Sequence, residues 1–139
     1  MTSDARRAGE HDCAQVVTRF FTRLDAVDYE GAWALMGPGG VWKRSGKLLD
    51  SRERFLDAMS QRPTALVIRH LVGNLVVDFV DNKHAIADFC LTVFRFIGDA
   101  GDRPAPISLP SAVAAFRAEM THTDDAWRIV DLSGKTLFA

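Results

Sequence analysis

Apolar residues recur at three- and four-residue steps at the start of the chain and at two-residue steps towards its end. Ala14, Val17, Phe20, Phe21, Leu24 and Val27 form one stripe of an amphipathic helix that the pattern begins at His11. Met1 to Glu10 is small, charged and aperiodic, which predicts a flexible N-terminal arm over 1–10 and one domain over 11–139. A second short helix fits Tyr29 to Met36, ended by Gly37-Pro38-Gly39-Gly40. Val41 to Lys43 reads as a short strand and Ser45-Gly46 as a turn. A third helix is expected from Asp50, with Glu53 three residues on as its capping partner, Phe55, Leu56 and Met59 inward, and Pro63 as its stop.

From Leu66 the period changes. Leu66 to Val80 and Ala85 to Ile97 are two long strands rich in Val and Ile, joined by an Asp81-Asn82-Lys83 hairpin turn. Ala112 to Thr123 alternates, with Ala114, Phe116, Ala118 and Met120 on one side. Asp124-Asp125 turns the chain into a last strand over Trp127 to Leu132, extended by Ser133 to Phe138. Helices first and an antiparallel meander afterwards predict an α+β fold, not a doubly wound parallel sheet. Strands this long twist and curl, so the sheet is expected to wrap around a helix and leave a cavity.

Composition narrows the partners. The 139 residues weigh 15.4 kDa, enough to bury a core without a disulfide or metal staple. Seventeen Lys and Arg against 18 Asp and Glu leave a net charge of -1, which argues against a nucleic-acid binder or a polybasic membrane binder. There is no membrane-length apolar run and no secretory leader pattern. Cys13 and Cys90 lie far apart in no metal spacing and read as reduced thiols of a cytoplasmic protein. No HExxH motif, phosphate loop, dinucleotide fingerprint or GxSxG elbow occurs, so the reading is of no metal and no cofactor.

Four stretches carry a resemblance. They are Leu24-Asp25-Ala26-Val27-Asp28-Tyr29 running into Ala32-Trp33-Ala34-Leu35-Met36; Trp42; Arg69-His70-Leu71-Val72-Gly73-Asn74; and Asp124-Asp125-Ala126-Trp127-Arg128-Ile129. In this order they resemble the SnoaL-like, NTF2-like superfamily, specifically its scytalone-dehydratase-like branch. The resemblance implies an α+β cone: N-terminal helices packed on a strongly curved, mainly antiparallel sheet enclosing an apolar pocket, often dimeric through the outer sheet face. It also implies a catalytic pair, an aspartate at Asp25 facing the pocket and a histidine at His70. The residues themselves support a looser statement. Asp25 borders the apolar stripe of the first helix, and His70 interrupts an apolar strand, where it is either a pocket base or a core histidine bonded to backbone.

Other positions have more than one reading. By the two-residue period, Asn74 shares a face with Ile68, His70 and Val72; it either binds a ligand oxygen or satisfies backbone at a bulge beside Gly73. Trp42, Phe94, Phe116 and Met120 are core residues that would line a cavity. Lys43, Arg44, Lys47, Arg52 and Arg54 form a basic cluster, either a solvated face or an anion site. Arg69 interrupts an apolar strand and fits a carboxylate partner or a subunit contact. Three departures from catalytic patterns stand out. Leu24 replaces the tyrosine that precedes the dehydratase aspartate. Phe116 to Met120 holds no second histidine. Val41 to Arg44 lacks the carboxylate of the steroid-isomerase pattern.

Two functions follow as expectations. One is a lyase or isomerase acting on a small, apolar, oxygenated molecule by cofactor-free acid–base chemistry. The other is a non-catalytic ligand-binding or assembly module. The long strands are apolar on both faces, which predicts a homodimer through the outer sheet face. The Asp25–His70 separation, and whether both meet one cavity, discriminates the two functions.

Overall fold

A computed structural model describes residues 1–44, 46–98 and 101–139. Helix α1 runs from Ser3 to Asp25, α2 from Tyr29 to Trp33 and α3 from Arg52 to Ser60. Six strands, β1 (Met36–Arg44), β2 (Lys47–Leu49), β3 (Leu66–Asp81), β4 (His84–Ile97), β5 (Ala112–Thr123) and β6 (Ala126–Phe138), form one sheet in the order β2-β1-β6-β5-β4-β3. Every neighbouring pair is antiparallel except β1 and β6. Helix α1 lies on the concave side of this curved sheet. The expected α+β architecture is the one observed. No helix among the described residues is long and apolar enough to cross a membrane.

Several boundaries depart from the pattern reading. Residues 3–10 are the first turns of α1. The hydroxyl of Thr2 accepts the Ala5 N–H at 3.1 Å, and Arg7 pairs with Asp4 one turn on. A polar stretch with good caps needs no apolar face to be helical. At the other end Val27 belongs to no stripe: it is exposed and takes a left-handed φ of 61°. Its N–H donates to the Leu24 carbonyl, and the Asp28 N–H donates to the Arg23 carbonyl, which closes α1 as a Schellman motif with valine in the place glycine usually takes. The Asp28 carboxylate then caps α2 at the Gly31 N–H. Ser51, not Asp50, caps α3 through the Arg54 N–H.

Gly37 to Gly40 does not merely end a helix. It forms the irregular first half of β1 against β6, where a Cβ on Gly40 would sit 2.9 Å from the Gly37 carbonyl and 3.1 Å from that of Ile129.

The core is a single cluster between α1, α3 and the concave face. Phe20, Phe21, Leu24, Phe55, Met59, Met120, Ile129 and Leu132 are all nearly inaccessible. Phe20 meets Trp42 edge-on at 5.5 Å, and Phe89 stacks on Phe116 at 5.7 Å. In β3 the register shifts between Gly73 and Val76, and Asn74 adopts φ 50°. This bulge exchanges the two faces of the strand. Ile68 and Val72 point inward before it, and Leu75 and Val77 after it, while Val76 and Val80 turn outward.

Candidate functional site

The Schellman closure fixes Asp25 in the last helical position of α1, with its carboxylate directed at β3. That strand is a free edge of the sheet, so alternate backbone N–H groups point away from β4. The N–H of His70 donates to Asp25 Oδ2 at 2.7 Å, and Nδ1 of the same histidine lies 2.6 Å from Asp25 Oδ1. Both side chains are nearly sealed from water, at 7% and 6% exposure. A carboxylate is an acceptor only, so Nδ1 carries the hydrogen and Nε2 of the neutral ring keeps its lone pair. The ring of Phe21, one helical turn before Asp25, packs on the imidazole at 5.2 Å.

His70 forms part of the wall of a cavity of about 510 Å³ on the concave face. Apolar walls come from Leu66 and Ile68 of β3, Leu91 and Val93 of β4, and Ala114 and Phe116 of β5, with Trp42 of β1 opposite. Gly134 on β6 admits the Phe116 ring: a Cβ there would lie 2.3 Å from the ring edge. Arg44 sets its guanidinium over Trp42, 4.9 Å from the ring centroid. Burial, then the charges of Arg62 and Arg95, hold the Arg44 guanidinium below its usual range.

Of the residues read from sequence, the structure brings Asp25, His70, Trp42, Lys43, Arg44 and Phe116 together and separates the others. Asn74 does not join His70, because the bulge turns it into solvent; its left-handed backbone is its structural role. Phe94 faces the convex side. Val93 lines the cavity, whereas Phe94 lines an outer cleft with Val67, Arg69 and Phe96, and Arg95 borders both. Met120 points inward but is packed into the α1 core, beyond the cavity. His122 packs on Trp127 at 5.2 Å and does not reach the cavity, and His84 pairs with Asp81 in the hairpin. The basic cluster is largely neutralised: Lys43 pairs with Asp131 at 2.6 Å, Arg52 with Glu30, and Arg54 with Asp50 at 3.2 Å. Arg69 donates to the Ile68 carbonyl on the outer face. No cluster of three metal-ligating side chains occurs among the described residues.

Two cavity residues, Arg62 and Arg95, escaped the sequence reading. The signal for Arg95 was present, since it continues the two-residue series Phe89, Leu91, Val93. Arg62 carried none, because it follows α3 and reaches the cavity only through the fold.

The chain closely matches solved structures over nearly all its length. The hexachlorocyclohexane dehydrochlorinase LinA-type3 from Novosphingobium barchaimii LL02 superposes with a TM-score of 0.78 at 14% identity, over 99% of this chain and 92% of that one. A Novosphingobium aromaticivorans DSM 12444 protein with a provisional scytalone dehydratase assignment gives 0.80 at 13%, over 99% and 89%. An NTF2-like protein with a cystatin-like fold from Novosphingobium aromaticivorans gives 0.77 at 21%, over 95% and 84%. At such identities these likenesses speak for the fold. No curated protein sequence matches. The family model described as a SnoaL-like domain, however, matches residues 5–133, so the chain belongs to the SnoaL-like domain family.

Proposed function

We propose that the protein is a lyase or isomerase that removes a proton from an acidic C–H bond of a small, mostly apolar, oxygenated molecule. The observation that carries this reading is the sealed Asp25–His70 pair at the wall of a cavity with apolar residues around the imidazole. Nε2 of His70 takes the proton. The electron pair left on carbon forms a double bond, either expelling a leaving group from the neighbouring carbon or shifting to an adjacent carbonyl. Asp25 keeps the hydrogen on Nδ1 and faces the imidazolium as it forms. The imidazolium then returns its proton, to the departing group in an elimination or to a second carbon in an isomerisation. Two of the structural neighbours are named as a dehydratase and a dehydrochlorinase, both of which carry out eliminations.

Proton abstraction is testable before the leaving group is known. In D2O, NMR of a set of hydroxy- and halo-substituted aromatic ketones should show enzyme-dependent deuterium uptake or elimination for at least one compound. His70→Ala should abolish it. Turnover unchanged in His70→Ala would refute this assignment.

A further inference from the structure

Three arginines line the cavity that His70 faces, Arg44 and Arg62 half-buried and Arg95 exposed at its rim. Arg44 comes from β1, Arg62 from the turn after α3 and Arg95 from the end of β4. Arg7, Arg52, Arg54 and Arg117 each pair with a carboxylate. Arg44, Arg62 and Arg95 have no carboxylate partner among the described residues, and no Asp or Glu is among the residues lining the cavity. Nη1 of Arg62 is buried with no hydrogen-bond partner. Like charges held this close repel, and a desolvated donor without an acceptor is unfavourable. The protein keeps both at one place, and both are relieved by the same thing: an anion whose oxygens accept from forked guanidinium donors.

The rest of the cavity says what the anion is attached to. Leu66, Ile68, Leu91, Val93 and Phe116 make the wall shared with His70. A free inorganic anion would leave this surface unfilled. A volume of about 510 Å³ lies within the ~300–1,000 Å³ common for small-molecule sites.

We propose that Arg44, Arg62 and Arg95 form a recognition site for the carboxylate of a small organic acid, whose apolar body extends along β3 and β4 towards His70. This deepens the acid–base reading and rests on it only for the step at His70. The arginines hold the acid by one end, and the pair acts on the other. They also place positive charge where negative charge would develop on a conjugated substrate.

The test is calorimetric titration of 2-naphthoate, its neutral twin 2-naphthamide, and inorganic phosphate, in low salt. The carboxylate should bind at least about tenfold tighter than the amide, and added sodium chloride should weaken it. Phosphate should compete poorly. Arg62→Gln and Arg95→Gln should each weaken naphthoate by about tenfold and leave naphthamide unchanged. Without ligand, Arg62→Gln should melt no lower than the parent, since it removes an unpaired donor and a like charge. Equal affinity for acid and amide, tight phosphate binding, or an Arg62→Gln variant that melts well below the parent would overturn the proposal. Naphthoate binding with no His70-dependent deuterium uptake or elimination anywhere in the ketone panel would leave the anion site standing and sink the acid–base reading. Exchange confined to neutral compounds, with no preference for the acid, would do the reverse.

Discussion

Replacing Asp25 by asparagine keeps the shape of the pair and reverses the polarity of half of it. The carboxylate accepts two hydrogen bonds at once, from the His70 backbone N–H at 2.7 Å and from Nδ1 at 2.6 Å. A carboxamide has one acceptor and one donor group. If its oxygen stays with the backbone N–H, its NH2 confronts Nδ1, which must give up its hydrogen. The imidazole then changes tautomer, and Nε2 presents a hydrogen to the cavity where it had a lone pair. With the Asp25 and His70 side chains only 6% and 7% exposed, water does not make good the loss. One hydrogen bond to a charged group is worth ~1.5–3 kcal/mol, so Asp25→Asn should lower the unfolding free energy by about 2 kcal/mol. In a chain of this size that is a fall in melting temperature of roughly 8 °C. Heteronuclear NMR of ring-labelled histidine should show the His70 hydrogen on Nδ1 in the parent and on Nε2 in the variant. Turnover, measured by deuterium uptake, should fall by ~10²–10⁴. His70→Ala should lose about as much, and the double variant little more. A parent protein with its hydrogen on Nε2, or an Asp25→Asn variant as stable and active as the parent, would refute the reasoning.

Further expectations follow from features away from the pair. Burial first, and Asp12 second, push the Cys13 thiol up from 9.0 to about 12, so the folded chain keeps a proton that the unfolded chain loses. Its contribution to stability is therefore full below pH 9 and declines as the pH rises towards 12; urea melts across that range should show the loss, and Cys13→Ala should flatten it. Gly134→Ala puts a methyl group 2.3 Å from the Phe116 ring, which must swing into the cavity; overpacking of about 1–3 kcal/mol and weakened 2-naphthoate binding should appear together by melting and calorimetry. Val67, Leu71, Val76 and Val80 leave an apolar stripe on the convex face of β3 at 46%, 54%, 57% and 67% exposure. Sedimentation should give a mass of twice 15.4 kDa, and Leu71→Lys should return it to one.

The sequence pattern conveyed this fold where one face of an element is buried and the other is not. The Val17, Phe20, Phe21, Leu24 stripe is such a case, and so is the Ala114 to Met120 alternation. It misled where apolar residues sit on both faces. In Val72-Gly73-Asn74-Leu75-Val76-Val77 a single skipped residue changes which valines point inward, and hydrophobicity is indifferent to the choice. The Gly-Asn pair marked a bulge there without giving its direction. Asp25 and His70 were legible because both are polar residues in apolar surroundings. The Schellman turn that aims Asp25 was not, since valine is a poor advertisement for a left-handed backbone. Arg44 stood in a basic cluster and Arg95 continued a strand series, but their union with Arg62 was illegible, since the three lie 18 and 33 residues apart and only the fold unites them.

The order of the strands has a consequence for how the molecule is made. β6 follows the other five in sequence yet lies third in the sheet, between β1 and β5. Until it is laid in place, β1 and β2 have no strand neighbour in the β3–β4–β5 meander and meet it only through α1, whose Phe21 packs on both Trp42 and His70. Within the sheet, β1 joins the rest only through a central strand whose parallel partner lies roughly ninety positions upstream, and such distant pairings close slowly. Until then the edges of β1 and β5 stand open, which makes that interval the one in which chaperones, or aggregation, would find the nascent chain.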